Sequence, residues 1–185
     1  MRGAPALVLA LAVATVGAAG CGAPHAQTDM EPPPDGGMTL TLGTLGPDGG
    51  YQPLTDGQDV TLVEGAQGGF HVWMQFKVDD PRAMHVEAVR MAHRRDGGEL
   101  VLRAMGPAYD IVGMPGGGPW ESTNPVPMFM CPSPLGIRVV DEAIVYDVTF
   151  TDDAQEPVAH GTITLVPRCP TDPMKLDFCM KICTG

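Results

Sequence analysis

Lysine and serine are scarce in this chain. Lys77, Lys175 and Lys181 are the three lysines among 11 basic residues, set against 22 acidic ones, for a formal net charge of -11. Such a surface repels nucleic-acid phosphates and anionic lipid heads, both of which are gripped through Lys and Arg. The two serines, Ser122 and Ser133, do not lie in a GxSxG elbow. HExxH, a P-loop and a dinucleotide fingerprint are missing as well. We therefore expect no catalytic residues, no enzyme activity and no cofactor. Asparagine occurs once, as Asn124, a skew that fits a GC-rich genome better than a function. After the N-terminus, no apolar run approaches the roughly 20 residues of a membrane span.

Residues 1–20, MRGAPALVLALAVATVGAAG, read as an export signal. Arg2 supplies the positive region, Leu7 to Val16 a short apolar core, and Ala18, Ala19 and Gly20 the small residues before cleavage. Small residues running into Cys21 match a bacterial lipobox, with Ala18 where Leu is usual. Acylation of Cys21 also resolves the cysteine count. Five cysteines are present, and with Cys21 carrying lipid, Cys131, Cys169, Cys179 and Cys183 remain to form two disulfides in an oxidising compartment. Loss of residues 1–20 removes Arg2, so the mature charge is -11 - 1 = -12. Residues 21–37 are rich in proline and acidic side chains, with almost nothing to bury, and read as a disordered tether. Residues 38–185 are long enough for one domain with a core.

Within that domain period-two alternation dominates. Phe70, Val72, Met74, Phe76 and Val78 share one face of a strand; His71, Trp73, Gln75 and Lys77 share the other. A second extended stretch covers about Met84 to His93, and Asp96-Gly97-Gly98 makes a hairpin turn. Ile144 to Phe150 and Ala159 to Leu165 form another hairpin around TDDAQEP. Shorter strands fall at Met38 to Leu42, Val60 to Val63 and about Pro127 to Cys131. Residues 106–119, GPAYDIVGMPGGGP, read as a long loop of the kind that carries function. The whole predicts an all-β domain: an antiparallel immunoglobulin-like β-sandwich of seven to nine strands, with a small barrel or cupredoxin-like sandwich as the alternative.

Three metal chemistries compete with the bland reading of these residues. Four cysteines could bind zinc, but paired CxxC spacing is absent. Twelve methionines, with MFMC at 128–131 and His71, His85 and His93, raise copper; the methionines are scattered at core spacing, and CPSPLGIRV supplies no cupredoxin ligands. TDGQD, DGGE and DDAQE cluster acidic turn residues without the spacing of a calcium loop. No metal site is assigned; copper or calcium handling stays as the second functional class, and an envelope enzyme as the third.

The most distinctive stretch is GAQGGFHVW at 65–73, where paired glycines mark a bulge or close backbone approach. With the preceding QPLTDGQDVTLVE it resembles the opening of uncharacterised exported lipoproteins of myxobacterial type, through Gln67, Gly68, Gly69, His71 and Val72. The resemblance implies a β-sandwich and an anchor, and no activity. The candidate binding residues are His71, Trp73 and Gln75 on the outward strand face, with Trp120 after the glycine loop; an uncovered tryptophan marks an interaction surface. The expected protein is lipid-anchored in a bacterial cell envelope, at the outer rather than the inner membrane. Its non-catalytic domain, in the periplasm or on the cell surface, binds an envelope protein or serves as structure.

Overall fold

The computed structural model describes residues 37–96, 98–113, 116–132 and 136–184. The export signal, Cys21, the tether and Ser133 lie outside the described residues. The alternating segments become strands because their apolar positions all face one side. Long strands are β1 (Met38–Leu45), β5 (Phe70–Asp79), β6 (Met84–Arg94), β7 (Leu100–Ile111), β10 (Ile144–Thr151) and β11 (Pro157–Arg168), with β9 (Val126–Cys131) shorter. Short pieces β2 (Tyr51–Pro53), β3 (Gln58–Thr61), β4 (Val63–Glu64) and β8 (Trp120–Glu121) fill in beside them. One helix, α1 (Pro173–Cys183), ends the domain. The fold is all-β as expected, but the described residues form eleven strands rather than seven to nine. The excess comes from short pieces: the strand expected at Val60 to Val63 is split into β3 and β4 around Leu62, and β2 and β8 are too brief for an alternation pattern to register.

The strands make one curled sheet with the path β4-β5-β1-β11-β10-β6-β7. It is mixed rather than purely antiparallel, which corrects the expectation. β1 runs parallel to β11, pairing Met38 with Ala159, and β3 runs parallel to β11 from Gln58 opposite Leu165. Alternation fixes which face a residue takes, and is silent on strand direction unless a tight turn joins the pair. Here the first strand lies beside the last, so no hairpin dictates their sense. The curl brings β6 near β9, where the Arg90 guanidinium donates from Nη1 to the Pro127 carbonyl at 2.9 Å.

Inside the curl, Phe76 and Phe150 meet edge-on with centroids 5.5 Å apart, and Tyr109 and Trp120 complete the cluster. Tyr146 is fully buried, and its hydroxyl donates to the Met130 sulfur. Most of the methionine wealth of β5 and β9 is therefore core: Met74, Met128 and Met130 are all buried. The expected loop at 106–119 begins later than the sequence suggests, because β7 continues to Ile111. Glu87 pairs with Ala108 and Val89 with Met105, so β7 accommodates one extra residue at a bulge. Gly106, with φ of 81°, occupies that bulge beside Pro107, which has no N–H to contribute to a ladder.

The tail is held by chemistry rather than by burial. Asp172 caps α1 by accepting from the Lys175 N–H, Pro173 opens it, and Lys181 sits in the last turn, where a cation is favoured. Cys179 and Cys183 stand one turn apart and are buried, while most of the remaining helix is exposed. Cys183 bonds to Cys131 and Cys179 to Cys169, closing separations of 52 and 10 residues. In the chain-entropy account these loops stabilise by about 4 and about 3 kcal/mol respectively.

A close approach at the parallel junction yields the first prediction. A Cβ on Gly161 would lie 2.7 Å from the Leu40 carbonyl oxygen, a backbone atom that cannot step aside. Gly161→Ala should destabilise the domain by about 1–3 kcal/mol, the usual cost of overpacking, as measured by denaturant unfolding. A change within about 0.5 kcal/mol, the range of an ordinary surface substitution, would show that the β1–β11 junction is not tightly packed.

Candidate functional site

The outward face of β5 is the site that the sequence singles out, and the glycines before it explain how it is built. Gly65 and Gly69 close a turn, with the Gly65 N–H donating to the Gly69 carbonyl at 2.7 Å. Gly68 takes φ of 80°, a conformation that costs a side-chain residue. Both flanking glycines also make room for rings. A Cβ on Gly65 would lie 2.0 Å from His71 Nε2, and one on Gly69 would lie 2.4 Å from the Phe129 ring. The turn thus seats an aromatic row: His71 lies 5.3 Å from Phe129, edge-on, and 5.9 Å from Trp73. Each of these three side chains is half-buried.

His71 Nδ1 is buried and has no hydrogen-bond partner among the described residues. Burial disfavours the imidazolium and lowers the His71 pKa from 6.5. The ring is therefore held neutral at pH 7, an apolar element with one free acceptor or donor. Trp73 lines an open cleft of about 200 Å³ together with Thr44, Leu54, Gln58, Asp59 and Val63. Thr44 Oγ1 donates to the Trp73 carbonyl at 3.1 Å, pinning the strand at the cleft floor. Asp59 faces Arg168, whose Nε and Nη2 both lie 3.0 Å from Oδ1. The cleft thus combines one indole, aliphatic walls and a neutralised carboxylate.

The other two candidates sit elsewhere. Gln75 shares the outward face but is buried; its Nε2 donates to the Ser122 carbonyl at 3.3 Å. Tyr51 lies over this part of β5: a Cβ on Gly43, which pairs with Gln75, would meet the Tyr51 ring at 2.3 Å. Burial, then Glu121 and Asp79, push the Tyr51 hydroxyl pKa up to about 12. Trp120 points the other way, 5.3 Å from Tyr109 and 6.3 Å from Phe150, and packs half-buried against the core. The structure therefore brings His71 and Trp73 together, covers Gln75 and removes Trp120 from their face. Phe129 is the member of the row that sequence reading missed; its alternation with Met128 and Met130 was the available signal.

The metal-minded residues disperse. His85 pairs with Asp110 at 2.8 Å, and both His93 and His160 approach Asp147, at 3.4 and 3.6 Å. Asp56 accepts from the Thr164 N–H on β11, and Asp152 accepts from the Ala154 and Glu156 N–H groups of its own turn, so these carboxylates already serve backbone donors. Glu99 pairs with Arg94. Among the described residues no group of three or more His, Cys, Asp or Glu side chains is arranged to hold a metal ion. No family model matches the chain, and no curated protein is significantly similar to it.

The buried imidazole sets a pH dependence whose sign can be worked out. With its folded pKa below 6.5, the unfolded chain takes up the proton first as pH falls. Stability is then lost as pH drops through about 6.5 toward the lower folded value. His71→Phe should remove that loss, so its Tm should fall less than that of the wild type between about pH 7.5 and 5.5. The opposing contribution of His85, raised by its hydrogen bond to Asp110, is common to both proteins. Parallel Tm curves would mean that His71 is not held neutral by its surroundings.

Proposed function

We propose that this chain is a lipid-anchored protein of a bacterial cell envelope whose β domain works by binding rather than by catalysis. The carrying observation is the half-buried row His71–Trp73–Phe129 beside the Trp73 cleft. Rigid aromatic side chains left part-exposed next to a concavity are the usual anchors of an interface. The partner is another envelope protein, and the chain's acidity favours a partner with a basic rim. Support for the anchor is the apolar N-terminus running through Ala18, Ala19 and Gly20 into Cys21. We read the curled sheet as a variant of an immunoglobulin-like sandwich, its two walls facing each other across Phe76, Phe150 and Tyr109.

Two measurements test the reading. Trp120→Phe leaves Trp73 as the sole tryptophan, and Trp73→Phe leaves Trp120. Acrylamide should quench the first protein several-fold more strongly than the second. Equal shielding would make the β5 face structural and remove the docking surface. For the anchor, acyl chains add about 0.8 kcal/mol per buried CH₂, so Cys21→Ser should shift the chain out of the membrane fraction or leave it unprocessed. A processed mutant that stays membrane-bound would overturn lipid attachment at Cys21.

A further inference from the structure

The two disulfides touch. Cys179 and Cys183 project from the same side of α1, and their sulfurs are 3.8 Å apart although each is bonded elsewhere. Four sulfurs therefore form one cluster in which the Cys169–Cys179 bridge abuts the Cys131–Cys183 bridge. Access to the cluster is uneven. Cys131, Cys179 and Cys183 are completely buried, whereas Cys169 is only partly so. Of the four cysteines Cys169 alone keeps partial exposure, which makes it the point of entry for a thiolate from solvent.

We propose that the pair is a single redox site in which two electrons from a dithiol enter at Cys169 and open the Cys131–Cys183 bridge. One thiolate of the dithiol attacks the Cys169 sulfur, forming a mixed disulfide and expelling Cys179 as a thiolate. The dithiol's second thiol then displaces Cys169, which leaves as a thiol, and the reductant departs as its own disulfide. The Cys179 thiolate faces the Cys183 sulfur across 3.8 Å of dry interior. It attacks that sulfur, forms Cys179–Cys183 and expels Cys131, which takes up a proton. Thiol–disulfide exchange needs only this juxtaposition and a thiolate. Bonds balance: one dithiol is oxidised, and the protein gains two thiols, at Cys169 and Cys131, while keeping one disulfide.

The position of Cys183 makes the last step feasible. It is the final helical residue, followed by the Thr184 cap, so the closing turn can loosen to bring the two Cβ atoms to bonding range. The consequence is disproportionate to the chemistry. A Cys179–Cys183 bridge lies wholly within α1, so reducing one disulfide releases the helix from both of its attachments, to Cys131 on β9 and to Cys169 after β11. The non-covalent contacts that remain include the packing of Phe178 on Phe70 and of Ile182 on the core, the Lys175–Glu64 ion pair at 4.0 Å, and the bonds from the Val139 and Val140 N–H groups to the Cys183 carbonyl. α1 becomes a latch that one dithiol can open. This inference stands apart from the docking face, which involves none of these residues.

The test is partial reduction of the full chain with limiting dithiothreitol, acid quenching, alkylation and peptide mapping. The species that has gained two thiols should carry its new labels on Cys169 and Cys131, with Cys179 joined to Cys183. Labels on Cys169 and Cys179 with Cys131 still bridged to Cys183, or on Cys169 and Cys183 with Cys131 bridged to Cys179, would overturn the relay. So would reduction of both bridges with no two-thiol species on the way. Cys179→Ser removes the relaying sulfur and leaves Cys131–Cys183 in place. Under the conditions that label Cys131 in the wild type, labelling at Cys131 should be lost. Undiminished labelling in a folded variant overturns the proposal, and the wild-type map alone decides if the variant does not fold.

Discussion

Nearly everything in this domain hangs on β5. Its ten residues alternate without interruption, so one face is apolar throughout and the other mixed. That alone would make a half-buried strand with two neighbours. β5 instead has different neighbours along its length. From Phe70 to Met74 it pairs with β4 and β9; from Gln75 to Asp79 it pairs with β1 and β8. Every one of these pairings is registered by the same requirement, that Phe70, Val72, Met74, Phe76 and Val78 reach the core. A slip of one residue would turn all five outward. The sheet can curl because the pairing changes partners midway, and the outward aromatic row occupies the half where short β4 leaves the face uncovered.

The C-terminal helix illustrates the opposite strategy. α1 offers the core little beyond two cysteines, and Met174, Leu176, Phe178 and Met180 stay exposed. An eleven-residue helix is marginal on its own, so the cap at Asp172 and two covalent links do what an apolar face would otherwise do. Concentrating both links one turn apart holds the helix firmly with few residues. It also places two bridges in contact, so that the stability of one depends on the state of the other.

How far the sequence was legible follows from what each signal encodes. Strand faces were readable because period two is a property of the chain itself, and the cysteines were readable because setting Cys21 aside leaves an even number, which is expected to pair if the domain is exported. Direction was not readable: Met38 beside Ala159 is a contact between distant segments, with no turn to announce it. The Gly106-Pro107 pair looked like a loop because both residues are poor strand formers, yet a bulge against Glu87 to Val89 admits them. The two tryptophans looked alike, and only the pairing of Trp120 with inward Val78 turns it toward the core while Trp73, equally half-buried, takes the outward face. Gln75 had the right parity for the binding face; Tyr51 covers it, from a strand of three residues that no periodicity could reveal.

The geometry of β5 also gives the domain two distinct ends. The chain enters the fold at Met38, and Thr39 pairs with Asp79 at one end of the strand. The other end, at Phe70, pairs with Cys131 and lies against Phe178 of α1. Ten residues at about 3.3 Å each separate these ends by about 30 Å. The chain therefore enters at the Asp79 end, and the disulfide-linked helix lies at the opposite one. The His71–Trp73–Phe129 row then lies on the flank, nearer the distal end. A partner at the flank and a reductant at Cys169 beside the helix would therefore address different surfaces of the domain. The two surfaces are chemically independent but are carried by one strand, and a released helix would free the Phe70 end on which the aromatic row depends.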